Sequence, residues 1–121
     1  GNRTSQTIGG TTQSYTIQST SNRLQSVTGT PTRSFTYDAT GSVTNDGGNQ
    51  YVYDALGRLK QTTVGSQTTD YRVDALGQRI KKGGTYYHYA PSGQLIAESN
   101  AAGTVQREYV WLGATPIAII Q

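Results

Sequence analysis

Three aspartates, Asp38, Asp54 and Asp74, each precede a glycine by three residues (Gly41, Gly57 and Gly77), and the one histidine, His88, stands between Tyr87 and Tyr89. Carboxylates in glycine-bearing loops suit hard cations such as calcium. A histidine among many serines has the residue types for nucleophilic catalysis. Neither chemistry is completed by the spacing. Each turn supplies a single carboxylate, and its Gly, Asn and Ser neighbours add no charge. No Gly-x-Ser-x-Gly elbow is present. With no cysteine, there is no thiolate metal site and no disulfide framework. The residues therefore assign no catalytic group, no metal and no cofactor, and the chain reads as non-enzymatic. A third chemistry is stacking on sugar rings. Tyr51, Tyr71, Tyr87 and Trp111 are the candidates for binding a glycan or a partner protein. The competing role is a cross-strand aromatic ladder, which the period-2 placement favours.

The elements that hold these residues are repeats. Phe35-Thr36-Tyr37-Asp38-Ala39-Thr40-Gly41-Ser42-Val43 is one copy and Tyr51-Val52-Tyr53-Asp54-Ala55-Leu56-Gly57-Arg58-Leu59 the next. Tyr71 to Gly77 is a third, and Tyr87 to Leu95 a fourth with Ala90 in place of Asp and Gly93 as its glycine. These glycines lie 16, 20 and 16 residues apart. Ser99 to Val105 keeps the turn with Asn100 for Asp and Gly103 for the glycine. Tyr15-Thr16-Ile17 leads to Ser21-Asn22-Arg23-Leu24, with Asn22 read in the place of glycine. Gly1-Asn2-Arg3 reads as the tail of a further copy.

Alternating Tyr-x-Tyr is a strand pattern that puts both rings on one face. The Asp accepts hydrogen bonds from N–H groups just ahead of it, and the glycine takes the left-handed position of a three-residue hairpin loop. Counting outward from the turn pairs Tyr37 with Val43, Tyr53 with Leu59 and Tyr89 with Leu95. In the third copy Arg79 falls where an apolar residue belongs, which predicts a loop one residue longer or a bulge there. Asp46-Gly47-Gly48-Asn49, Gly65-Ser66 and Gly83-Gly84 read as turns at the opposite ends. The repeat-structural set is Tyr37, Asp38, Gly41, Tyr53, Asp54, Gly57, Leu59, Asp74, Gly77, Tyr89, Gly93, Leu95 and Gly103. The expected fold class is all-β: a meander of antiparallel β-hairpins forming a curved sheet or β-solenoid slice.

Composition agrees. Only 33% of the 121 residues are apolar, and nine of these are tyrosine, so a thin, sheet-like interior is expected rather than a thick core. The net charge of +3 is spread along the chain, which gives no nucleic-acid footprint. No apolar run is long enough to span a membrane as a helix. The opening "GNRTSQTIGG" has no apolar leader segment. The apolar, uncharged "TPIAII" near residue 120 is an adhesive edge if unpaired, so copies of the chain are expected to self-associate, head to tail.

"FTYDATGSV", "YVYDALGRL" and "YRVDALGQRI", followed by "GQLIAESNAAGTVQREYVWLGATPIAII", resemble the YD repeats of the Rhs family. That family includes bacterial Rhs and wall-associated proteins, the shell subunits of insecticidal toxin complexes, and teneurins. The resemblance implies a structural shell or surface protein, secreted or on the cell surface of a bacterium. Its partners would be other repeats of the same parent chain or identical copies, with an encapsulated toxin or a surface glycan as further possibilities. It divides the chain into degenerate repeats over 1–34 and a YD-repeat array over 35–121. Many members continue into a core region with an Asp-Pro self-cleavage element. No Asp-Pro pair occurs here, so the resemblance places this segment ahead of that region.

Overall fold

The computed structural model describes residues 1–121 as fourteen β-strands with no helix. Chain contacts separate two compact units, Gly1–Thr68 and Thr69–Gln121.

The first unit opens with β1 (Ser5–Ile8), β2 (Thr11–Ile17), β3 (Leu24–Thr28) and β4 (Arg33–Ser34), which form a four-stranded sheet in chain order. β5 (Thr36–Tyr37), β6 (Val43–Asn45), β7 (Asn49–Tyr53) and β8 (Leu59–Val64) continue the meander, each antiparallel to the one before. β4 and β5 are one extended stretch interrupted at Phe35, whose N–H still donates to the Gln25 carbonyl at 2.9 Å. The second unit holds β10 (Arg79–Lys82), β11 (Thr85–Tyr89), β12 (Leu95–Ser99), β13 (Val105–Leu112) and β14 (Thr115–Ile120), with β9 (Gln67–Val73) as its first strand. Its strands also pair in sequence order.

Alternation along the strands sets the faces. Tyr51 and Tyr53 are half-buried while Val52 between them is exposed. Phe35/Tyr37, Tyr87/Tyr89 and Tyr109/Trp111 repeat this pattern around Thr36, His88 and Val110. Only Val27 and Ser99 are buried, and no side chain is fully enclosed. The interior is as thin as the composition implies.

The turns follow from Asp and Gly. Asp54 N–H donates to the Arg58 carbonyl and Gly57 N–H to the Asp54 carbonyl, at 2.8 and 2.9 Å. The same pair of bonds closes the turns at Asp38, Asp74, Ala90 and Asn100. Gly57 has φ of +74°, a conformation that costs a residue with a Cβ about 1–2 kcal/mol. Tyr37 faces Val43, Tyr53 faces Leu59 and Tyr89 faces Leu95, as the count from the turn gives.

One expectation is met in the second of its two forms and one changes. The third copy has no longer loop: Asp74 to Gln78 is the same turn as in the others. It does carry a bulge, at Ile80, where the register passes from Arg79↔Val73 to Lys81↔Arg72. That bulge is not peculiar to it. The same one-residue shift occurs at Thr44, Lys60 and Ile96, and also at Gln25, Gln106 and Ile117. An extra residue two places past the turn lets the strands twist without moving the turn. Asn22 does not replace glycine either. It has no positive φ, and the turn from Gln18 to Arg23 is one residue longer, which removes the need for a left-handed residue.

Candidate functional site

Each Asp side chain works on its own turn. Asp54 Oδ1 accepts from the N–H groups of Leu56 and Arg58 at 2.9 Å each, and Oδ2 accepts from Arg58 Nε at 2.8 Å. The Arg58 N–H, followed by the Arg58 side chain and the Leu56 N–H, lowers the Asp54 pKa against a partial opposing effect of desolvation. Asp74 Oδ1 accepts from Leu76 and Gln78 in the same way. Asp38 Oδ1 takes the Thr40 hydroxyl and the N–H groups of Gly41 and Ser42. Asn100 Oδ1 takes the Ala102 and Thr104 N–H groups, so an amide oxygen serves as well. The fourth copy closes its turn with Ala90 and no side-chain acceptor at all. Hence the glycine is the required element, and the carboxylates are turn caps.

The bulges raise a second problem. An extra residue disturbs the ladder and turns a backbone carbonyl away from its usual partner. The aromatic residue just before the next turn supplies the donor. Tyr37 OH donates to Leu24 O at 2.7 Å and Tyr53 OH to Val43 O at 3.0 Å in the first unit. Tyr89 OH donates to Arg79 O at 3.0 Å and Trp111 Nε1 to Leu95 O at 2.8 Å in the second. Leu24, Val43, Arg79 and Leu95 all sit immediately before a bulge residue. At these four places a strand is thus bolted to the preceding one by an aromatic donor as well as by the ladder. The third copy has Val73 at this position and no hydroxyl to offer.

This set of bonds is what the sequence reading missed. A signal was available: the chain has nine tyrosines and one phenylalanine, and every residue that makes the bond carries an O–H or N–H donor.

The four candidates for ligand stacking fall on the same half-buried face pattern. Tyr51 OH donates to Asp46 Oδ2 at 3.0 Å, and that bond, made chiefly with the Asp46 carboxylate, raises the Tyr51 pKa. Trp111 is the bolt to Leu95. Tyr87 lies under the Arg79 guanidinium, 5.4 Å from the ring centre. Tyr71 is half-buried within β9. Of the four, Trp111 and Tyr87 contact residues of the preceding strand, and Tyr51 contacts the turn before it.

Asp46 organises the Asp46–Asn49 turn. Its carboxylate accepts from the N–H groups of Gly48 and Asn49, from Asn49 Nδ2 and from Tyr51 OH. Those bonds, the Asn49 N–H first, hold its pKa down at about 2. In the second unit, Glu98 accepts the Tyr109 hydroxyl and lies 3.6 Å from Arg107, and the Glu98 bond raises the Tyr109 pKa. His88 Nε2 and Ser99 Oγ are 2.8 Å apart, but Ser99 is only 4% exposed, which closes its hydroxyl to a substrate.

The family comparison fits this geometry: the teneurin YD-shell family model matches residues 4–111 of the 121. The chain belongs to the teneurin YD-shell family. No curated protein matches it. In this YD-shell chain the Tyr and Asp of the repeat have separate physical roles. Asp caps the turn of its own hairpin, while Tyr fixes that hairpin to the preceding one.

Proposed function

We propose that the chain is a structural segment of a YD shell, acting as a length of wall rather than by chemistry of its own. The observation that carries this reading is the use of the aromatic donors: Tyr37, Tyr53, Tyr89 and Trp111 all bind backbone carbonyls of the preceding strand. Side chains tied into strand-to-strand bonds stiffen a sheet and are not free to exchange partners with a ligand. The use of the Asp38, Asp54 and Asp74 carboxylates as caps of their own turns supports the same reading. Encapsulation of an effector carried by a longer bacterial parent, at the cell surface or outside the cell, is the use such a wall would have.

The competing reading is a glycan-binding sheet. Screening the labelled chain against a glycan array separates the two. A wall segment gives no saturable binding. Saturable binding that is lost in Tyr87→Ala, with the β-sheet circular dichroism unchanged, would refute the structural reading.

A further inference from the structure

The side of β11 turned away from Tyr87 and Tyr89 carries a row that the repeat does not explain. Tyr86 is followed directly by Tyr87, so strand alternation sends the two rings to opposite sides. Register then sets four side chains in line across four strands of the second unit. Lys81 of β10 lies opposite both Arg72 of β9 and Tyr86 of β11, and Tyr86 lies opposite Ser99 of β12. Directly opposed residues have Cβ atoms about 4.5–5.5 Å apart.

The row has donors and no acceptor. Like charges directly opposite one another are destabilising, yet Arg72 faces Lys81 and neither forms an ion pair with a carboxylate. Arg33, Arg58 and Arg107, by contrast, each have one. Asp70, two residues before Arg72 on the same side of β9, pairs with neither cation. The Lys81 ammonium is anchored over the Tyr86 ring, 5.6 Å from its centre. The Tyr86 hydroxyl donates to no atom of the chain. Beyond it Ser99 is buried and lies 2.8 Å from His88 Nε2, which closes the row on that side.

We propose that Arg72, Lys81 and Tyr86 form a binding site for a phosphate group. They supply two positive charges and donors of three kinds: a planar fork, a compact ammonium and a hydroxyl. A phosphate monoester carries about −1.5 to −2 charge at neutral pH and three acceptor oxygens, so it neutralises the opposed pair and uses every donor. A carboxylate, with one charge and two oxygens, leaves a charge and a donor unmet. Arg72 is exposed and Lys81 and Tyr86 are half-buried, so the site is open to solvent. It lies on the face opposite the aromatic bolts and goes beyond the wall reading without resting on it.

The test is a titration of the isotope-labelled chain with sodium phosphate, followed by amide chemical shifts, at an ionic strength held constant with sodium chloride. Saturable shifts are expected at Arg72, Lys81 and Tyr86, with a Kd in the millimolar range. Arg72→Gln and Lys81→Gln are each expected to weaken binding about tenfold, and Tyr86→Phe, which keeps the ring under Lys81, about threefold. Lys82→Gln removes a neighbouring cation on the other side of β10 and is expected to leave the affinity unchanged. A second arm with glycerol phosphate separates the sources: equal affinity assigns an esterified phosphate, and much weaker affinity the free anion. Shifts that chloride alone reproduces, shifts shared equally by Lys60, Lys82 and Arg107, or an affinity that survives both glutamine variants at Arg72 and Lys81 would overturn the site.

Discussion

Replacing Tyr53 by phenylalanine removes one oxygen and leaves the ring on its face of β7. The hydroxyl lost is the one 3.0 Å from the Val43 carbonyl, at the bulge of the preceding hairpin. A neutral hydrogen bond contributes a net ~0.5–1.5 kcal/mol. Val43 is half-buried, so water can recover part of the vacated carbonyl, and a cost of about 1 kcal/mol is expected. For a chain of this length the unfolding entropy converts that to a fall in Tm of about 4 °C. Tyr87→Phe is the matched control: its ring stays under Arg79, and its hydroxyl reaches none of the bulge carbonyls. It should stay within about 0.5 kcal/mol of the parent. Tyr37 and Tyr53 share no acceptor, so the double variant Tyr37→Phe/Tyr53→Phe should lose about 2 kcal/mol by simple addition. Urea titration followed by circular dichroism reads all four proteins, with the m-value unchanged. If Tyr53→Phe cannot be told from Tyr87→Phe, the aromatic bolts do not hold the strands together.

Perturbations at four further sites follow from the turns. Asp46 has its pKa lowered from 3.8 to about 2, so its stabilisation is fully present above about pH 4 and is lost as pH falls through 2. With its side chain 14% exposed, this amounts to about 2 kcal/mol, and acid titration of Asp46→Asn should lack that loss between pH 4 and 2. Asp38→Asn keeps an oxygen where all three donors converge and should lower the denaturation midpoint less than half as far as Asp38→Ala in the same assay. Gly57→Ala meets only backbone strain, with open space around the new Cβ, and should cost ~1–2 kcal/mol. Gly29→Ala adds a clash, its Cβ falling 2.6 Å from the Thr12 carbonyl oxygen, so its Tm should fall further than that of Gly57→Ala.

The hairpins could be read from the sequence because Asp and Gly act locally. Each turn is decided within five residues, and Tyr53 opposite Leu59 follows from counting. The bulges could not be read so easily. They insert one residue, such as Thr44 or Lys60, ahead of polar positions (Asn45 and Gln61), so no break in an apolar alternation marks them. Ile80, an apolar residue one step late, does mark its bulge in the sequence, and the same bulge recurs in the other copies without that signal. The bonds to the bulge carbonyls depend on the hairpin alongside, so a single repeat does not reveal them. Asp46 was legible as a turn residue, but its bond to Tyr51 was not, because it joins a loop to a strand that was counted separately.

The absence of any fully enclosed side chain sets how the chain responds to heat and denaturant. A compact monomer of 13.0 kDa would expose about 6,300 Å². This one exposes 8379 Å². Unfolding therefore uncovers about a sixth less surface than in a compact domain of equal mass, and the heat-capacity increment and urea sensitivity shrink in proportion. The stability curve is correspondingly shallow: the fold loses strength slowly on either side of its optimum.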